Sequence, residues 1–223
     1  MSGVGFDLED ADAVQREIDD TPGIVCSELR VNRKNLHVEI LSRQFQITQK
    51  FEKGVIPFPL EGQGSSVNIH KAPNLETLKN FPSECKSLVI FDCPKIKTFK
   101  DLPEKVELLS VMLHDHQVLD HLPEGLSDSL DLTLSDLSQI RCKIPNSVKR
   151  LFLHGLHSCR GICEKFDNPQ SLELFVNIDG RDKEGCRDIL RIKNLKKICP
   201  SDHSQVSPDI YKMINAQLSK PTQ

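Results

Sequence analysis

The sequence predicts an α/β solenoid, because one short pattern recurs along much of the chain. Residues 73–82 and 94–103 lie 21 residues apart and share Pro, Thr, Lys and a final Pro at identical positions. A period of roughly 20–30 residues is typical of solenoids. Pairs of apolar residues recur at about the same period, which predicts one short strand in each coil.

Five of these apolar pairs predict the inward-facing positions of five strands. The pairs are Val67/Ile69, Leu88/Ile90, Leu109/Val111, Leu132/Leu134 and Leu151/Leu153. Side chains two positions apart on a strand point to the same side, so each pair is predicted to face the core. A later apolar-Pro step predicts an extended return segment, since proline fixes φ and lacks an N–H. Strands one repeat apart are then expected to pair in parallel.

A further core position is predicted six residues beyond the second member of each pair. Leu75, Ile96, Ile140 and Cys159 occupy it, and Gln117 breaks the pattern beside Val118. Cysteines at core positions are expected to behave as small apolar residues.

The pattern divides the chain into three parts. Residues 64–180 carry the repeats, with short parallel strands on a concave face and an extended, irregular convex side. Residues 1–63 are expected to form an N-terminal helix, within the acidic stretch 7–20, and degenerate first repeats or a separate cap. Residues 181–223 are expected to form a C-terminal helical cap.

Within these caps the alternating stretches 36–40 and 45–47 predict strands, and residues 181–197 predict a basic helix. Pro208 is expected to open the last helix, because proline suits the first helical position.

Composition excludes several functional classes. The net charge of −3 argues against electrostatically driven nucleic-acid binding. No apolar run reaches the ~20 residues of a membrane-spanning helix, and the N-terminus lacks the pattern of a secretory signal. Eight irregularly spaced cysteines favour free thiols in a reducing cytoplasm.

The stretch Cys85-x-x-Leu88-x-Ile90-x-x-Cys93-x-x-Ile96 resembles the leucine-rich repeat. The short period and the Leu-Pro steps are similar to the LPX-type repeats of bacterial virulence proteins of the YopM and IpaH families. This resemblance implies an effector that binds a host cytosolic protein. Residues 144–151 are also similar to amoebal FNIP repeats, so eukaryotic and viral sources stay open.

Two departures limit what the resemblance implies. The asparagine expected after each strand is replaced, at Ala72, Cys93, His114, Leu137 and Leu156. The chain is also too short to hold the ubiquitin-ligase domain of IpaH proteins, so that activity is not implied.

The main functional hypothesis is that a partner protein docks on the concave strand face. The predicted register places the apolar residues Val89, Phe91, Met112 and Phe152 on that face, together with His154. Exposed apolar patches mark interaction surfaces, and aromatic residues and Met are enriched at interface centres. The expected function is a non-enzymatic interaction module that needs no cofactor.

The alternative hypothesis is a zinc- or cysteine-dependent enzyme. The segment 154–163 contains four side chains of types that bind zinc, namely His154, His157, Cys159 and Cys163. The repeat register argues against their convergence, because His154 should face the concave side whereas Cys159 should lie in the core. Cys163 or Cys186 could serve as a nucleophile only with a histidine within about 3 Å.

Overall fold

The fold is a parallel β-solenoid of about seven turns. The computed structural model describes residues 16, 20–30, 41–57, 60, 65–201 and 208–219. These described residues form one sheet of nine strands that follow one another in chain order. The strands are β1 Ile24–Arg30, β2 Leu41–Ile47, β3 Ser66–His70, β4 Glu84–Phe91, β5 Lys105–Met112, β6 Gly125–Thr133, β7 Arg150–His154, β8 Leu172–Val176 and β9 Leu195–Cys199.

Only β1 and β2 pair antiparallel; every later neighbour pairs in parallel. Between parallel strands the chain leaves the sheet and returns one strand further on. Helix α1, Lys183–Leu190, lies in the last of these returns, and helix α2, Pro208–Leu218, follows β9. Two short 3₁₀ turns occupy Leu137–Gln139 and Ile162–Lys165.

Stacking of equivalent residues explains why the period governs the fold. Aliphatic side chains of β3 to β8 stand beside one another in register, namely Val67, Leu88, Leu109, Leu130, Leu151 and Leu174. All are buried, at 1% exposure or less. Each coil therefore covers the apolar edge of the next, which confirms the predicted solenoid.

The predicted register of β6 is wrong by two residues. Leu130 and Leu132, not Leu132 and Leu134, stand opposite Leu109 and Val111. The run from 126 to 134 has leucine at several even positions, so alternation alone allowed either choice. A bulge decides it, because β6 carries one residue more than β5 just before Ser129.

The interruption predicted at Gln117 is also corrected. Gln117 itself holds the core position, at 4% exposure, and Val118 is the less buried of the two. Its Nε2 donates to the carbonyls of Cys93 (2.9 Å) and Ile96 (3.0 Å) in the preceding coil. The backbone N–H of His114 donates to its Oε1 at 3.0 Å.

Gln139 repeats this arrangement one coil later. Its Nε2 donates to the carbonyls of His114 (2.8 Å) and Gln117 (3.3 Å), and its Oε1 accepts from the backbone N–H of Ser135 at 2.8 Å. The two buried amides thus form a glutamine ladder that satisfies turn backbone groups inside the solenoid.

The recurring threonine of the repeat has a related role between coils. Thr77 Oγ1 donates to Asp101 at 2.8 Å, and Thr98 Oγ1 donates to Asp120 at 3.1 Å. Each bond joins one coil to the next, so the identical spacing seen in the sequence corresponds to a repeated contact.

The ends of the chain differ from the repeats. Most of the predicted N-terminal helix, and the predicted strand 36–40, lie outside the described residues; the predicted strand 45–47 is part of β2. The segment 181–197 is helical only to Leu190 and then enters β9, so the predicted cap includes one more strand of the sheet.

Helix α2 covers the end of the sheet at β9. Tyr211 Oη donates to the carbonyl of Val176 at 2.7 Å. Asn215 accepts from the backbone N–H of Ile198 at 3.0 Å and donates to its carbonyl at 2.9 Å. Across the part of the chain that the structure describes, no helix has the length and apolar character needed to cross a membrane.

Candidate interaction surface

One face of the sheet points away from the buried core, and we call it the outer face. Its central row crosses eight strands in register and consists of Gln46, Asn68, Val89, Ser110, Asp131, Phe152, Phe175 and Cys199. These side chains are exposed or half-buried, whereas the strand residues that flank each of them are buried. The alternation arises because successive strand side chains point to opposite faces.

Two aromatic pairs lie on the outer face. The rings of Phe152 and Phe175 stack with centroids 4.2 Å apart, and those of His70 and Phe91 stack at 4.9 Å. Phe91 is 40% exposed although it is a large apolar side chain. Each pair joins neighbouring strands, because equivalent positions of adjacent coils lie side by side.

The residues chosen from the sequence separate into two patches. Val89 and Phe91 lie on β4 with Met112 on the adjacent β5, and we call these three residues patch A. Phe152 and His154 lie on β7, two strands beyond β5. The β6 residues between them are polar, so the five side chains do not form one continuous apolar surface.

Phe175 was missed in the sequence analysis. It lies on the outer face of β8 and stacks on Phe152, and we call this pair patch B. The signal was present, because Phe175 stands between Leu174 and Val176 in an alternating strand. The same reasoning that selected Phe152 applies to it.

An acid–base pair borders patch B on the β6 side. His154 Nε2 lies 3.2 Å from Asp131 Oδ1, and both side chains are partly exposed. Burial raises the pKa of the Asp131 carboxyl above its ordinary value, and the neighbouring His154 opposes that rise. The carboxyl is therefore partly desolvated, and His154 is its neighbour on the outer face.

The beginning of β7 holds a second charged pair. The Arg150 guanidinium bonds to Asp128 Oδ2. That bond holds the pKa of the Asp128 carboxyl below its ordinary value. The bulge in β6 lies directly beside Asp128, so a local irregularity of one strand helps to position this pair.

The candidate zinc ligands of segment 154–163 are held apart by the sheet. His154 is on the outer face, whereas Cys159 is 2% exposed in the core on the opposite side. His157 is exposed, and Cys163 lies in the 3₁₀ turn. No group of three or more His, Cys, Asp or Glu side chains suited to a metal ion occurs among the described residues.

The cysteine alternative meets a second obstacle, the protonation state of the thiols. Burial raises the pKa of Cys159 to about 12, and the Asp182 carboxylate adds to the effect. Burial also raises the pKa of Cys163, with Asp188 contributing, and that of Cys186. A thiol with a raised pKa holds little thiolate near neutral pH and is a weak nucleophile.

Cys163 does line a small cavity of about 210 Å³. The other lining residues are Glu164, Phe166, Asp167, Pro169, Arg191, Ile192 and Lys193. None of them is a histidine, so this lining lacks the usual base for a cysteine nucleophile.

Comparison with known proteins places the chain in no group. No family model, no curated protein and no solved structure matches it.

Proposed function

We propose that the protein is a non-enzymatic interaction module that binds a partner protein on the outer face of its sheet. The observation that carries this proposal is patch B, two stacked phenylalanines on a strand face where polar side chains are the rule. Patch A provides a second apolar area two strands away. Aromatic and Met side chains are those enriched at the centres of interfaces.

The chemistry of the sheet supports docking through side chains. Interior strands have neighbours on both sides, so their backbone groups are already paired. A partner on this face would therefore bury the phenylalanines, and it would need no cofactor and no covalent step. The eight free cysteines favour a reducing cytoplasm as the place where this occurs.

We also propose that the coils are leucine-rich repeats. The 21-residue stacking of strands supports this, and the Gln117 and Gln139 amides fulfil the hydrogen-bonding role expected of the missing asparagines. The further proposal of a bacterial effector with a host protein partner depends only on the similarity of the repeats to those of the YopM and IpaH families.

Replacing Phe152 by Arg tests the proposed function. The substitution places a charge at the centre of patch B without touching the core, so the fold should persist and partner binding should fall at least tenfold, as expected for an aromatic contact centre. The measurement is chemical cross-linking of the purified protein in cell extract, quantified by mass spectrometry against wild type.

Met213→Arg is the matched control, because Met213 is a large apolar side chain that is 60% exposed and lies on α2 and not on a strand of the sheet. Phe91→Arg reports separately on patch A. Cross-links that survive both Phe152→Arg and Phe91→Arg would remove the outer face as the binding surface.

A further inference from the structure

Patch B differs from patch A in the charges at its border. At the side where the strands begin, Arg150, Glu173 and Lys197 stand in register on β7, β8 and β9. Lys149 directly precedes β7 in the chain, and the backbone N–H of Glu173 donates to its carbonyl at 2.8 Å. Three cationic side chains, Lys149, Arg150 and Lys197, and two acidic ones, Asp128 and Glu173, therefore border this side of the pair.

A bulge in β9 concentrates the positive charge. Leu172 pairs with Leu195, but Glu173 pairs with Lys197, so β9 carries one extra residue, Lys196. Two lysines of β9 therefore stand opposite a single residue of β8. Both are exposed, and neither forms an ion pair with the part of the chain described by the structure.

At the border of patch A, by comparison, positive and negative charges are equal in number. Lys105 at the beginning of β5 forms an ion pair with Glu84 at the beginning of β4. Lys86 and Glu107, which lie beside the outer-face residues Ser87 and Leu108, add one charge of each sign. An excess of positive charge next to an apolar centre is thus particular to patch B.

We propose that patch B binds an acidic segment of a partner protein, with an aromatic or large aliphatic side chain on Phe152 and Phe175 and carboxylates toward Lys149, Lys196 and Lys197. This inference rests on the proposed function and adds the chemistry of the partner. Complementary charge would orient the segment, since rim charges mainly set specificity and the rate of association.

A nucleic acid is the less favoured occupant, although aromatic and basic residues together also bind single strands. Glu173 stands between Arg150 and Lys197, and Asp131 borders Phe152, so a phosphate backbone would pass close to two carboxylates. A peptide places its negative charges individually and avoids them.

The test is selection of peptides from a random phage-displayed library on the full-length protein, followed by fluorescence anisotropy with the enriched peptides. We expect peptides that combine an aromatic or aliphatic residue with Asp or Glu. Their Kd should rise about tenfold or more in Phe175→Ser and about tenfold in the Lys196→Glu/Lys197→Glu double variant. The Lys79→Glu/Lys100→Glu double variant is the matched control, because both lysines are exposed and lie outside patch B. No change in Kd is expected for it.

The outcomes separate this inference from the proposed function. Peptides that depend on Phe175 but lack acidic residues and ignore the lysine reversal would overturn the acidic partner and leave the interaction module in place. Peptides indifferent to both Phe175→Ser and Phe91→Ser would overturn the interaction module as well. Failure to enrich any peptide, tighter binding of a labelled oligouridylate than of any peptide, or Phe175-dependent dimerisation in sedimentation would each overturn the acidic partner.

Discussion

Cys159 shows how the surroundings of a single residue alter its chemistry. In the sequence it belongs to a segment with four side chains that could bind zinc, yet in the fold it fills a core position equivalent to an aliphatic residue. Burial there raises its pKa to about 12. The folded protein thus keeps this thiol protonated and uncharged over the whole neutral range.

Because of the raised pKa of Cys159, the free energy of unfolding should decrease at alkaline pH. The unfolded chain loses this proton above about pH 8.5, whereas the folded chain retains it, so rising pH favours unfolding. The contribution of Cys159 is fully present below about pH 8.5 and falls by about 1.4 kcal/mol per pH unit up to a pH of about 12. Urea unfolding at about pH 7.5 and about pH 9.5 measures the loss.

Cys159→Ala provides the comparison within this experiment. The variant starts from a lower stability because a core side chain is truncated, but its loss between the two pH values should be smaller than that of wild type by about 1 kcal/mol. Equal losses in the two proteins would contradict the raised pKa, because they would show that the thiol loses its proton at the same pH in the folded and unfolded chains.

The sequence predicted which residues lie on the outer face but not which of them are in contact. Alternation identified Val89, Phe91, Met112, Phe152 and His154 as outer-face positions. It could not show that Phe152 stacks on Phe175, because contact across strands depends on the register between coils and not on the pattern within one strand.

At the scale of an element, the glutamine ladder shows that a polar residue can hold a core position of the repeat. A glutamine at a core position looked like an interruption of the repeat. In the fold its amide reaches carbonyls of the preceding coil, so the buried polar group is satisfied by the turn that it stabilises. Solenoid turns contain many backbone groups outside the sheet, and side-chain amides are suited to pair with them.

Gln117→Leu should destabilise the fold by roughly 2–4 kcal/mol. The leucine fills a similar volume but leaves two carbonyls and one N–H without their partner, at about 1 kcal/mol for each group, the lower end of the range for unsatisfied buried polar groups. The measurement is the midpoint and slope of chemical denaturation.

Gln170→Leu is a suitable control, because Gln170 is exposed in a turn and should change the free energy of unfolding by no more than about 0.5 kcal/mol. A Gln117→Leu protein as stable as this control would mean that water replaces the amide and that the ladder contributes nothing to stability.

The bulges in β6 and β9 are a second feature at the scale of elements. The extra residue in β6 restores the common register after a shorter return segment, and the extra residue in β9 brings two lysines to one side of patch B. Neither was visible from spacing alone, since a bulge needs only one additional residue and leaves the apolar alternation on either side intact.

At the scale of the whole molecule, a helix covers the C-terminal end of the sheet. At the C-terminal end, Asn215 of α2 pairs with both backbone groups of Ile198, in the manner of a neighbouring strand. An unpaired edge strand would offer those groups to another chain, and covering them prevents such association.

Asn215→Leu should therefore weaken the C-terminal end of the solenoid. We expect a loss of about 1–3 kcal/mol of stability from the two unpaired groups of Ile198, and faster amide hydrogen exchange in β9 than in β5. Hydrogen exchange followed by mass spectrometry measures both strands in one sample.

Met213→Leu on the exposed side of the same helix is the control, for which wild-type exchange is expected in both strands. Uniform acceleration of exchange across all strands in Asn215→Leu would contradict a local role, because the whole solenoid would then unfold as one cooperative unit.

The solenoid itself was determined by the sequence, because aliphatic residues at a fixed period can be buried together only when successive coils stack. The inward and outward positions of β3, β4, β5 and β7 follow from the same pattern. What the tertiary structure alone decided is which outward side chains are neighbours. That depends on the length of every return segment and on each bulge, since one residue more or less shifts a whole strand relative to the next. The Phe152–Phe175 pair depends on the length of the return between β7 and β8, and the second lysine beside it on the bulge in β9.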